Sequence, residues 1–126
     1  MNRRGSLSAM VVCLVHGMFM LGALAIDGGR LVIEYQKASD AAAVSARMGA
    51  QHITGIMEGS PVVDVVPADR AATVSLASLG YSGSARAGRT WVEVIAMRKV
   101  PLPLLSLIGI GSRTISVTRT ADAVLG

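Results

Sequence analysis

The stretch AIDGGRLVIEYQKASDAAAVSA occupies residues 25–46, directly behind a long apolar run. Its first acid, Asp27, and the glycines Gly28 and Gly29 interrupt that run without ending the helical pattern. Asp27, Arg30, Glu34, Lys37 and Ala41 recur at three- and four-residue steps and so share one helix face. Their alternating charges suit a stripe of ion pairs in water. Leu31, Tyr35, Ala38, Ala42, Ser45 and Gly49 form the opposite stripe. It narrows to small residues, which permits close packing against a sheet or a second helix. A glycine inside a soluble helix costs about 1 kcal/mol. The pair is better tolerated at a membrane boundary, where it also serves as a flexible joint. Asp27 therefore reads as a solvent boundary, with one helical rod continuing outward through residues 27–58.

Upstream, residues 7–26 carry no formal charge. As a helix, twenty residues span about 30 Å, the thickness of a bilayer hydrocarbon core. Arg3 and Arg4 precede this segment. The positive-inside rule then places residues 1–6 in the cytoplasm and the remainder outside, with Arg3, Arg4, Asp27, Gly28, Gly29 and Arg30 marking the two boundaries. The segment admits three readings: a retained anchor, a secretory signal cleaved after Ala23-Leu24-Ala25 that releases a secreted protein, and a pilin-like leader cut between Gly5 and Ser6 that keeps the apolar helix. Helix-forming sequence continues past Ile26 without a loop, which favours retention. Within the span, Ala9, Cys13 and Gly17 repeat every four residues, a spacing that lets membrane helices approach closely. The ring of His16, near mid-span, is expected to face a partner rather than lipid. Cys13 and His16 share a face, but no third group orients a base, so the pair does not make a nucleophilic site.

Composition narrows the rest. Of the 126 residues, 52% are hydrophobic but only 3% aromatic, so the core must be built from Ala, Val, Leu, Ile and Met. Net charge is +4, with no basic cluster interleaved with aromatics, which argues against a nucleic-acid partner. The single cysteine excludes an internal disulfide and a multi-cysteine metal site. No cofactor, metal, catalytic residue or small-molecule substrate is expected. His52, the histidine outside the apolar segment, reads as an ordinary residue rather than a base.

Gly55, Gly59, Ser60 and Pro61 mark a break. Asp64 and Pro67 then open a short helix whose buried face is Ala68, Ala71, Ala72, Ser75, Leu76 and Leu79, with Gly80 at its C-terminal cap. From residue 81 the period becomes two. Residues 82–87 are a weak strand and 87–89 a hairpin turn. TWVEVIAMR, residues 90–98, is a stronger strand with Val92, Val94 and Ala96 on one face. SRTISVTRTA, residues 112–121, alternates as a half-exposed antiparallel strand does. The intervening VPLPLLSLIGIG, residues 100–111, is too short to span a bilayer. It reads as a crossover covering the core, with a helical turn at 104–107; the other reading is an exposed apolar loop for a membrane or a partner. The expected fold is α+β: a long N-terminal helix, a short second helix and a small three-stranded antiparallel sheet in two layers, with residues 59–126 forming the outer helix and sheet.

RGSLSAMVV (residues 4–12), AIDGGRLVIEYQKASDAAAVSARMGAQ (residues 25–51) and PLPLLSLIGIGSRTISVTRTADA (residues 101–123) together resemble the actinobacterial type of TadE/TadG-like proteins of the tight-adherence (Flp) pilus system. The resemblance implies a pilin-like, membrane-anchored minor pilin or assembly component, whose partners are other pilus subunits and a secretion ATPase. Pilin-like members are cut after a glycine and carry Glu at the fifth mature position. Gly5 and Ser6 fit such a cut, but the fifth residue here is Met10, which cannot neutralise a neighbour's terminal amine in the bilayer. That departure points to the uncut, anchor-like members. A rival reading is a tethered binding module or adhesin that uses the 100–111 loop or the Thr-rich strand as its recognition surface.

Overall fold

The computed structural model describes residues 3–54 and 62–123. The break expected at Gly55, Gly59, Ser60 and Pro61 lies outside the described residues. The fold is α+β. Helix α1 (Arg3–Ala50) leads into a two-residue pair, β1 (Ile53–Thr54) with β2 (Val62–Val63). Helix α2 (Val65–Ser78) follows, then an antiparallel sheet of β3 (Ser82–Ala87), β4 (Trp91–Pro101) and β5 (Ser112–Asp122) in the order β3-β4-β5.

The sheet has one covered face. Val92, Val94, Ala96 and Val100 of β4 and Val117 of β5 are buried, at the two-residue spacing that puts side chains on one side of a strand. Helix α1 packs over β4 and β5, and α2 over β3. The helices reach this close because their inner faces are small: Ala38, Ala41, Ala42, Ala46, Gly49 and Ala50 on α1 meet Ala68, Ala72 and Leu76 on α2. Between them the Ser45 hydroxyl donates to the Ser75 hydroxyl at 3.2 Å. Burying a Val or Leu side chain in such a core contributes about 1.5–3 kcal/mol.

Helix α1 runs antiparallel to β4. Its C-terminal end sits at Val92, Glu34 at Arg98, and Asp27 at the loop beyond β4. Gly49 marks the tightest approach. A Cβ there would lie 2.9 Å from the Ala68 carbonyl oxygen and 3.0 Å from Val92 Cγ1.

Three expectations need correction. Helix α1 ends at Ala50 rather than continuing to residue 58. The His52 amide closes onto the Gly49 carbonyl at 3.1 Å, and the His52 carbonyl then accepts the Asp64 amide at 2.8 Å, so the chain turns into the β1–β2 pair. The inner face of α2 is narrower than expected, because Leu79 is exposed and Ala71 only half-buried. The small-residue stripe of α1 is shifted as well: Ala41 is buried, whereas Tyr35 is exposed. Gly80 does follow the helix end, with φ 84°.

The helix runs unbroken through Gly28 and Gly29, and a Cβ at either would meet no atom within 4 Å. Gly28→Ala is therefore expected to raise stability by about 0.5–1 kcal/mol through helix propensity. Gly49→Val should lower it by about 1–3 kcal/mol through overpacking. Urea unfolding of the full chain in detergent micelles checks both. Destabilisation by Gly28→Ala would mean that the glycine pair is needed as a joint.

Candidate membrane-proximal interface

The 100–111 connection is built around a shortage of donors. Pro101 and Pro103 have no N–H. Leu105–Ile108 form one 3₁₀ turn, whose leading amides lack partners within the turn. Asp27 supplies them from the far side of the chain. Its Oδ2 accepts the Leu104 amide at 3.0 Å and the Leu105 amide at 2.7 Å. The side chain thus caps a turn 77 residues away in sequence. Asp27 is 0% exposed, and its Oδ1 is buried with no hydrogen-bond partner among the described residues.

Asp27 is therefore not the first member of a water-facing ion stripe. Of that stripe, one pair forms, Lys37 Nζ to Glu34 Oε1 at 3.5 Å. Glu34 also faces the Arg98 guanidinium of β4 at 3.6 Å, and Arg98 lies 5.3 Å over the Tyr81 ring. Arg30, Lys99 and Arg113 are exposed around the same level, without an ion pair among the described residues.

The rest of the loop closes on itself. The Leu102 amide donates to the Gly111 carbonyl at 3.0 Å, Ser106 to Leu102 at 2.9 Å and Ile110 to Leu105 at 3.0 Å. Gly109 takes φ 92° at the end of the turn, a value that side-chain-bearing residues adopt only with strain. Leu102 and Leu105 are buried, as a core-covering crossover requires. Leu107 is 84% exposed, and Ile108 and Ile110 are exposed too. Between this loop and α1 lies a groove of about 560 Å³, lined by Val15, Phe19, Gly22 and Ile26 on the helix and by Leu104 and Leu107 on the loop.

The remaining singled-out residues stay apart from this contact. Arg3, Arg4, Gly5 and Ser6 form the exposed first turns of α1. Ala9, Cys13 and Gly17 are exposed along the helix, with nothing within 4 Å of a Cβ built on Gly17. The His16 ring does not need a partner chain for its Nδ1, which lies 2.9 Å from the Val12 carbonyl one turn back. His52 is exposed and contributes through its backbone. Among the described residues no group of three His, Cys, Asp or Glu could hold a metal.

Sequence reasoning missed Leu104 and Leu105 as the partners of Asp27, and Arg98 as a partner of Glu34. A usable signal existed: a lone acid at the end of an apolar run, and elsewhere a proline-punctuated apolar loop. Comparison with known proteins finds no matching family model, curated protein or solved structure.

Replacing Asp27 by Ala leaves the buried Leu105 amide without its acceptor, at about 1–3 kcal/mol, and the half-buried Leu104 amide at less. Amide hydrogen exchange at Leu104 and Leu105 is expected to accelerate strongly in Asp27→Ala. Asp27→Asn, which keeps one carbonyl acceptor, should fall between it and the wild type. Unchanged exchange in Asp27→Ala would remove the cap from the account.

Proposed function

We propose that this chain is a single-pass, membrane-anchored pilin-like component of a Flp (Tad) type pilus or a related secretion machine. Its N-terminus is cytoplasmic and its helix–sheet body extracytoplasmic. It acts through protein contacts rather than catalysis. The anchor is residues 7–26 of α1. That helix carries an 18-residue window of hydropathy 2.3, none of it buried against the body. A helix of this kind is long and apolar enough to cross a bilayer, and a signal sequence near an N-terminus passes the same test.

The observation that carries retention over cleavage is the groove. Leu104 and Leu107 of the folded body face Val15, Phe19, Gly22 and Ile26 across it, so cleavage after Ala25 would strip most of one wall from it. It would also place a new, fraying helix end one residue before Asp27, whose carboxylate holds the loop. The pilus assignment rests on the resemblance of residues 4–12, 25–51 and 101–123. Met10 in place of the pilin glutamate favours an uncut assembly subunit. The stripe Ala9, Cys13 and Gly17 is the face offered to a neighbouring subunit's helix.

The test is fractionation and intact mass of the chain with a C-terminal tag in its native host. The expected product resists a carbonate wash, stays with the membrane and retains residues 7–26 and Gly5. A soluble product beginning at Ile26 would overturn the anchor. Oxidative crosslinking between subunits through Cys13 is expected to fall in Gly17→Leu. Crosslinking unchanged by that substitution would remove the proposed helix face.

A further inference from the structure

The loop at residues 100–111 carries more than its two buried leucines need. Leu107 is 84% exposed and lines the groove opposite the apolar half of α1, and Ile108 and Ile110 of the same loop are exposed too. Val15 and Ile26, the ends of the groove on the helix, are eleven residues apart, about 16 Å along the axis. If residues 7–26 occupy the hydrocarbon core, Leu104 and Leu107 lie at the depth of its outer leaflet.

Irregular backbone is costly in hydrocarbon unless its polar groups are bonded internally. The donors of this loop meet that condition. From Leu102 to Leu107 every amide present donates within the protein, as do those of Gly109 and Ile110. Pro101 and Pro103 bring no N–H. The one hydroxyl, Ser106 Oγ, donates to the Pro103 carbonyl at 2.6 Å. Asp27 completes the set, with its carboxylate removed from solvent.

The charges above the loop agree. At this end of the body Asp27 is buried and Glu34 is engaged with Lys37 and Arg98. The exposed charges left are Arg30, Lys99 and Arg113. On β4 and β5 the last two stand only a few residues from the loop, in the neighbouring register pairs Lys99↔Thr114 and Val100↔Arg113. Exposed cations at that height suit anionic headgroups, with the apolar tip below them.

We propose that the 100–111 loop is a second membrane element. It inserts Leu104, Leu107, Ile108 and Ile110 into the outer leaflet beside α1, while Arg30, Lys99 and Arg113 contact lipid phosphates. The body is thereby held at a fixed height and orientation on the bilayer. This rests on the anchor reading, and one experiment separates the two.

Nitroxide labels are placed at Leu107→Cys, Ile108→Cys and Lys99→Cys in a Cys13→Ser chain, with Phe19→Cys and Arg86→Cys as references. The chains are reconstituted into phosphatidylglycerol–phosphatidylcholine vesicles. Accessibility to oxygen, which partitions into lipid, is compared with accessibility to a water-soluble nickel chelate. The oxygen-to-nickel ratio at Leu107 and Ile108 is expected to match Phe19 and to exceed Arg86 several-fold, with Lys99 between. An Arg86-like ratio at Leu107 with a lipid-like Phe19 overturns the loop and leaves the anchor standing. A water-like Phe19 overturns both. Low accessibility to both reagents at Leu107 would show protein packed on the loop and likewise overturns the proposal.

Discussion

One carboxylate at the junction of the apolar segment and the helix–sheet body sets the geometry of this chain. Burying a carboxylate is costly unless it is hydrogen-bonded, and Asp27 is fully buried with one oxygen serving two amides. The contact closes the far end of the β4–β5 hairpin onto α1. At the opposite end Gly49 lets α1 touch Val92 and Ala68. With both ends fixed, α1 lies along the whole of β4. The Glu34–Arg98 contact then falls between them, about two turns from Asp27. The helix that carries the apolar segment is thus the same rigid element that carries the core.

Alanine does most of the packing, and this explains how so small a domain holds a 48-residue helix. Large side chains would hold α1 away from the sheet. A face of Ala38, Ala41, Ala42, Ala46 and Ala50 brings backbone close to Val92, Val94 and Val117. Among the described residues Ser45 is the one buried polar side chain besides Asp27, and Ser75 answers it. What the helix does not bury is concentrated in residues 7–26, where every position is exposed except the half-buried Ala23.

The architecture was legible because periodicity carries it. The alternation of Val92, Val94 and Ala96 identified the covered face of β4, and the small residues of α1 and α2 identified their packing. The junction was not legible. Spacing placed Asp27 with Arg30, Glu34 and Lys37 because all four share a helix face, yet the buried acid at the end of the apolar run finds a better partner in two orphan amides than in a solvated cation. Those amides belong to Leu104 and Leu105, and no local pattern links residues 77 and 78 positions apart. The end of α1 was overextended for a related reason. Residues 51–58 contain nothing that forbids a helix outright, and the β1–β2 pairing that ends it is a tertiary bond. In the 100–111 loop both sequence readings apply to different residues: Leu102 and Leu105 serve the core, while Leu107, Ile108 and Ile110 face outward.

The central claim is that the apolar half of α1 and the 100–111 loop form one unit, joined at Asp27. Its most direct test is crosslinking in native membranes with cysteines at Ala23 and Leu107 in a Cys13→Ser chain, joined by a short bismaleimide. The account predicts an intramolecular product, seen as a compact monomer that runs faster on a denaturing gel and disappears when Asp27→Ala is added. Absence of that product, or a product only between chains, would contradict it.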